Sequence, residues 1–260
     1  MEIIIQPSAQ EVGIIAARMV AQIIRKKPYA VLGLPTGSTP LVMYKELIRM
    51  HREEKLDFSE VITFNLDEYV GISPEHPCSY NYYMYTNFFS SVNIKPHNIN
   101  IPDGRARDIP KFCTEFERRI VEAGRIDLQI LGIGADGHIG FNEPTSSLAS
   151  RTRIKTLMPQ TRQDNARFFP SLDEVPQHSL TMGIGTIMEA KQCLLMAAGE
   201  KKAEAIAKTV EGPITAIVPA SALQFHQHTT VLIDEAAAGK LARREYYTKT
   251  FDEKPDWQHL

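Results

Sequence analysis

The sequence predicts an α/β protein with a doubly wound, mainly parallel sheet and helices on both faces. Three observations lead there. Short apolar runs of β-forming residues alternate along the chain with longer segments of helical period. The helical segments open on recognisable start signals. Loops rich in glycine or polar groups follow several of the apolar runs, which is where open α/β sheets bind their ligands.

The elements read in order as follows. Strand Ile3–Ile5 is followed by Ser8 and Glu11, a capping-box pair, at the head of helix Ala9–Arg25. Strand Ala30–Leu34 runs into a loop where Thr39 reads as N-cap and Pro40 as the first residue of the helix through Leu41–Arg52. Strand Val61–Leu66 ends in two acids, and helices Tyr80–Phe89 and Pro110–Ala123 precede strand Asp127–Ile133. Residues 142–178 read as an irregular excursion. Strands Ser179–Met182, Cys193–Ala197, Thr215–Val218 and Thr229–Ile233 follow, with helix Lys201–Val210 among them and helix Ala236–Arg244 after them. Such alternation implies crossover connections and a parallel sheet. Repeats, low-complexity tracts and Gly/Ser linkers are absent, so residues 1–260 are expected to form a single catalytic domain.

The composition is that of an ordinary soluble protein, 43% hydrophobic and 23% charged. A formal net charge of −2 argues against a nucleic-acid-binding surface. Cys78, Cys113 and Cys193 are odd in number, scattered and without metal spacing, as expected of reduced thiols. No secretory signal and no apolar run of membrane-spanning length is evident, so the expected location is the cytoplasm.

The densest chemistry lies in Leu131–Pro144, LGIGADGHIGFNEP, where Asp136, His138 and Glu143 sit among four glycines. A carboxylate–imidazole–carboxylate cluster can move protons near neutral pH. A histidine satisfied by a backbone carbonyl is the plainer alternative for His138. Gly132-x-Gly134-x-x-Gly137 formally matches a dinucleotide fingerprint, but the chain continues His-Ile-Gly-Phe-Asn-Glu-Pro and does not start a regular helix there. A nicotinamide cofactor is therefore not expected.

Three other segments complete the set. Gly33–Pro40, GLPTGSTP, combines hydroxyls, a glycine and a helix N-terminus, which suits a phosphate or equally an ordinary capped turn. It lacks the Lys-Ser/Thr ending of a nucleoside-triphosphate loop. In Phe64–Tyr69, FNLDEY, Asp67 can serve as a base at a strand end, or it can cap a turn beside a solvated Glu68. In Ser150–Thr156, an extended chain would align Arg151, Arg153 and Lys155, either as a second anion site or as a charged strand edge. His226-Gln227-His228 lacks a third ligand, and no metal site is assigned.

Taken together, LGLPTGSTP, FNLDEYVG, GIGADGHIGFNEP and SSLASRTRIKT resemble the glucosamine-6-phosphate deaminase family, one of the sugar-phosphate isomerase-like α/β folds, in order and approximate spacing over nearly the whole chain. The resemblance implies conversion of glucosamine 6-phosphate and water to fructose 6-phosphate and ammonia, without a cofactor. It implies ring opening by His138 with Asp136 and Glu143, and enolisation by Asp67. It places the substrate phosphate on Thr36, Gly37, Ser38, Thr39, Arg167 and Lys202. In hexameric members it implies activation by N-acetylglucosamine 6-phosphate, at positions matched here by Ser146, Arg153, Lys155 and Thr156. The C-terminal stretch around Tyr246, Tyr247 and Pro255-Asp256-Trp257 departs from those longer members. Two other functions fit less of the pattern: a 6-phosphogluconolactonase-like hydrolase, and a sugar-phosphate sensor without catalysis.

Overall fold

The computed structural model describes residues 1–166 and 169–255. Seven strands form one sheet: β1 (Glu2–Gln6), β2 (Val31–Leu34), β3 (Ile62–Asn65), β5 (Ile99–Asn100), β6 (Leu128–Leu131), β9 (Cys193–Ala197) and β10 (Thr229–Asp234). Their order is β1-β10-β9-β6-β2-β3-β5, with every pairing parallel. The doubly wound expectation is met. Helices α1 (Ala9–Lys26), α2 (Leu41–Glu54) and α3 (Tyr80–Asn87) cover one face, and α4 (Ile109–Glu122) covers the other.

The helices dock as their apolar spacing requires. On α1, Val12, Ala16, Val20 and Ile24 recur at four-residue intervals and are buried against Leu32, Ile130 and Leu194 of the sheet. Ser8 Oγ accepts the Glu11 amide at 3.2 Å, so the predicted cap forms. Burying each large aliphatic side chain in these two cores contributes about 1.5–3 kcal/mol. Among the described residues, no helix is long and apolar enough to cross a membrane.

Strand order also sets the binding crevice. From β2 the chain moves toward β3, whereas from β6 it moves toward β9, and β2 and β6 are neighbours paired at Leu32–Leu128 and Gly33–Gln129. A reversal of this kind opens a crevice beyond the strand ends. The loops after these two strands are GLPTGSTP and GIGADGHIGFNEP.

Several sequence expectations are corrected. The run ending at Leu66 does not stop in a loop. After Leu66 the chain leaves the parallel sheet as β4 (Asp67–Tyr69), which pairs antiparallel with β8 (His178–Thr181), itself paired with β7 (Arg153–Thr156). Ser179–Met182 thus belongs to a separate three-stranded sheet, and the supposed irregular excursion contributes β7 and the short helix α5 (Pro159–Asn165) to that region. Thr215–Val218 is a tight turn closed by Val218 N to Thr215 O at 3.1 Å. Ala236–Arg244 is not a helix. The Asp234 carboxylate takes the amides of Ala237 and Gly199, Glu211 takes those of Ala242 and Arg243, and helix α8 begins only at Arg244 and runs to Asp252. Thr39 makes no cap; Pro40 occupies the N-cap position without a side-chain hydrogen bond. Short α6 (Ile184–Met188) was not anticipated, and α7 is Ala203–Val210.

Candidate active site

Asp67 stands where β3 hands over to β4. Its cross-strand partner is Thr181, and it is only 6% exposed. No hydrogen bond reaches its carboxylate among the described residues. Burial, with a smaller contribution from neighbouring Glu68, pushes its pKa up to about 8. Such a carboxyl is a far stronger base than a solvated aspartate.

Glu68 is neither solvated nor free to react. Its carboxylate accepts the amides of Tyr69 at 2.9 Å, Tyr80 at 3.0 Å and Asn81 at 2.9 Å. Burial raises its pKa, against these three hydrogen bonds. It satisfies the N-terminal donors of α3 and pins that helix to β4.

The loop after β6 forms a hairpin over Asp67. Gly134 N donates to His138 O at 2.9 Å and Ala220 N donates to Gly137 O at 2.9 Å. A side chain at Gly134 would collide with the His138 ring, so glycine makes room for the imidazole. His138 Nδ1 lies 2.7 Å from Asp136 Oδ1, bent away from ideal hydrogen-bond direction. Burial pushes the Asp136 carboxyl up, but the His138 contact more than offsets it and holds the pKa below the usual value. Glu143 is buried, with Oε1 accepting the Met158 amide at 3.2 Å and Oε2 unpaired.

One ligand-type atom from each of Asp136, His138 and Glu143 lies within 4.8 Å of the others. These three are also the group that could hold a metal ion among the described residues. Gly140, with φ +57°, is the point of closest approach. A Cβ there would lie 2.9 Å from Thr181 Oγ1 and 3.5 Å from Asp67 Oδ2. The fold thus brings the strand-end aspartate and the imidazole hairpin to one place.

Thr36, Gly37, Ser38 and Thr39 occupy the other side of the crevice. Two tyrosines hold this loop: Tyr44 Oη donates to Pro35 O at 2.6 Å, and Tyr83 Oη donates to Gly37 O at 2.5 Å. Lys202 Nζ donates to Ile133 O at 2.6 Å, which brings its ammonium to the loop after β6. Arg167 lies outside the described residues. The sequence carried no signal for Tyr44 or Tyr83, since both are ordinary helix residues until the fold places them.

The remaining basic segment divides. Arg151 lies before β7 and is committed to Glu117 at 2.5 Å and Glu189 at 2.7 Å, whereas Arg153 has a different partner. Half-buried Arg153 donates to Asn142 Oδ1 at 2.9 Å, tying β7 to the hairpin. Burial lowers its pKa. Lys155 and Thr156 continue β7, while buried Ser146 has an unpaired Oγ and donates its amide to Glu143 O. His226 is the satisfied core histidine, with Nε2 at 2.8 Å from Ala190 O and Nδ1 accepting the His228 amide. A cavity of about 1070 Å³ opens at the amino ends of the strands, near Glu2, Lys191, Thr229 and Tyr247, and includes none of the predicted site residues.

Comparison with known proteins agrees with this geometry. Residues 6–232 match the family model described as glucosamine-6-phosphate isomerases/6-phosphogluconolactonase. The chain is 55% identical over 260 residues, covering all of both chains, to the glucosamine-6-phosphate deaminase of Arthrobacter sp. (strain FB24). It is 52% identical over 238 residues to that of Thermoanaerobacter sp. (strain X514), covering 92% of this chain and 94% of that one. A solved structure described as a monomeric glucosamine-6-phosphate deaminase superposes with a TM-score of 0.91 at 49% identity, covering 92% of this chain and 100% of the other. The 6-phosphogluconolactonase of Trypanosoma brucei shares the fold, with a TM-score of 0.71 at 20% identity over 93% of this chain and 98% of that one. On these matches and this architecture, the chain belongs to the glucosamine-6-phosphate isomerase/6-phosphogluconolactonase family.

Proposed function

We propose that this chain is a glucosamine-6-phosphate deaminase working as a single catalytic domain, with glucosamine 6-phosphate as substrate and no cofactor. The observation that carries the proposal is Asp67: buried, without a hydrogen bond to its carboxylate among the described residues, and close to Gly140 of the hairpin that bears Asp136, His138 and Glu143. Lactone hydrolysis needs one general base and an oxyanion site. It makes no use of a second, strongly basic carboxyl.

In the proposed mechanism the loop Thr36–Thr39, with Lys202 and Arg167, holds the phosphoryl end and so fixes the sugar over Asp67. His138 takes the O1 proton and delivers a proton to O5, opening the ring to the aldehyde. Asp136 orients the imidazole and stabilises its charged form, and Glu143 completes the relay. The aldehyde acidifies the C2 proton, which Asp67 removes while a proton from the substrate's own ammonium passes to O1, giving an enolamine. Asp67 returns the proton to C1, leaving an iminium at C2. Water adds to C2, the C2–N bond breaks, and ammonia departs with fructose 6-phosphate as the other product.

Activation by N-acetylglucosamine 6-phosphate at Ser146, Arg153, Lys155 and Thr156, assembly as a hexamer and a cytoplasmic location follow from the family resemblance alone. The similar solved deaminase is described as monomeric, which weighs against the hexamer. Sedimentation tests the assembly, and ammonia assays with and without the N-acetylated sugar phosphate test the activation. The primary test is ammonia release from glucosamine 6-phosphate beside acid release from 6-phosphogluconolactone. Ammonia release is expected, and lactone hydrolysis without it would overturn the proposal.

A further inference from the structure

Between the base and the hairpin stands a residue to which the proposed chemistry gives no role. Thr181 is fully buried and is the cross-strand partner of Asp67 on one side and of Arg153 on the other. Residues directly opposite in a ladder project to the same face. Met182 N donates to Leu66 O at 2.7 Å in the position next to the Asp67–Thr181 pair, and Val70 N donates to His178 O at 2.9 Å at the far end of the same ladder. By the alternation of antiparallel sheets, Asp67–Thr181 is then a non-hydrogen-bonded pair, the kind whose side chains stand closer together.

The hydrogen bonds of the Thr181 hydroxyl nonetheless go to the hairpin and to its own strand, not to Asp67. Oγ1 accepts the Phe141 amide at 3.0 Å and points its own proton at Met182 O, 3.4 Å away. The first bond anchors the hairpin at the residue after Gly140, where hydroxyl and carboxylate crowd the same backbone. Asn142 supports the same attachment, its Nδ2 donating to Ile139 O at 2.9 Å and Met182 O at 2.8 Å. The hairpin is thus fixed to β8, the strand that fixes β4 and Asp67.

We propose that Thr181 is a positioning residue: its hydroxyl, by holding the Phe141 amide, sets the Asp136–His138–Glu143 hairpin at working distance from Asp67. This inference rests on Asp67 being the base of the proposed reaction. A misplacement of about 1 Å between reacting groups can cost on the order of 100-fold in rate. The hydrogen bonds that hold the phosphate loop come from Tyr44 and Tyr83 and those of Thr181 go to the hairpin and Met182, so the loss is expected in kcat rather than in substrate binding.

The test compares Thr181→Val, which keeps the shape and loses the acceptor, with Thr181→Ser, which keeps the acceptor. Thr181→Val is expected to lower kcat for ammonia release about 10- to 100-fold with KM within about 3-fold, and Thr181→Ser to stay within about 3-fold in both. Amide hydrogen exchange at Phe141 is expected to quicken at least about 10-fold in the valine variant only, with neighbouring β8 amides unchanged. Unchanged kcat in Thr181→Val, or equal losses in both variants, overturns the proposal. If the valine variant does not fold, Thr181→Ala carries the same comparison. A wild-type protein that releases no ammonia counts against the deaminase reading instead. Phe141 exchange, which needs no turnover, then decides the role of Thr181: unchanged protection in the valine variant overturns it.

Discussion

Replacing Asp67 by asparagine separates the two properties that burial gives this residue. In the unfolded chain the carboxyl titrates near 3.8, and in the fold burial and then Glu68 raise it to about 8. The native state therefore holds its proton longer than the unfolded state, so this group makes stability fall as pH rises from about 4 to about 8. At about 1.4 kcal/mol per unit, the full effect is on the order of 5 kcal/mol and is complete near pH 8. Asparagine carries no such charge. The excess stability of Asp67→Asn over wild type, measured by urea unfolding at a series of pH values, is expected to grow by about 3–5 kcal/mol across that window. In the same variant kcat is expected to fall about 100- to 10,000-fold with substrate binding retained, the range for loss of a general base. Wild-type kcat/KM should rise with pH toward about 8 as the free base ionises. Parallel stability profiles for the two proteins, or a retained kcat, would refute the reasoning.

Other outcomes follow from single contacts. Tyr83→Phe removes the hydroxyl that holds Gly37 O, and is expected to raise KM for the sugar phosphate about 3- to 10-fold with kcat little changed, by steady-state kinetics. Gly140→Ala forces a Cβ to φ +57° against Thr181 Oγ1, and is expected to cost about 1–2 kcal/mol in chemical unfolding and at least about 10-fold in kcat. Glu117 accepts Thr152 N, Thr152 Oγ1, Thr186 Oγ1 and Arg151; burial raises its pKa, but these bonds outweigh it and hold the carboxyl below its usual value. Its contribution is present above the unfolded pKa of about 4.5 and is lost as pH falls through the lower folded value, so Glu117→Gln should cost about 1–3 kcal/mol at pH 7 and less in acid.

What the sequence shows plainly is local. Short apolar runs mark β2, β3, β6, β9 and β10, because each is a contiguous signal. The hairpin residues are visible as a motif because three ionisable groups and their glycines are neighbours in the chain. The antiparallel sheet is hidden for the opposite reason. β4 has only three residues, Asp-Glu-Tyr, and its partner β8 lies far along the sequence, so neither strand announces the pairing. The burial of Asp67 depends on that pairing, and with it the raised pKa. Glu68 looks like the more exposed acid of the two until α3 arrives to donate Tyr80 and Asn81 amides. The failed helix at Ala236–Arg244 has a helical composition, but Asp234 and Glu211 take its amides with side chains. Tyr83 and Thr181 become functional candidates only through contacts that cross elements.

The most direct measurement follows the C2 hydrogen of the sugar. Glucosamine 6-phosphate carrying deuterium at C2 is to be turned over by the wild type and by Asp67→Asn, with ammonia and the label at C2 and C1 both read. Wild type is expected to cleave the C2–deuterium bond as ammonia is released, and Asp67→Asn to bind the sugar phosphate while leaving that bond intact. Continued C2 cleavage by Asp67→Asn at the wild-type rate would contradict the assignment of the buried aspartate as the base.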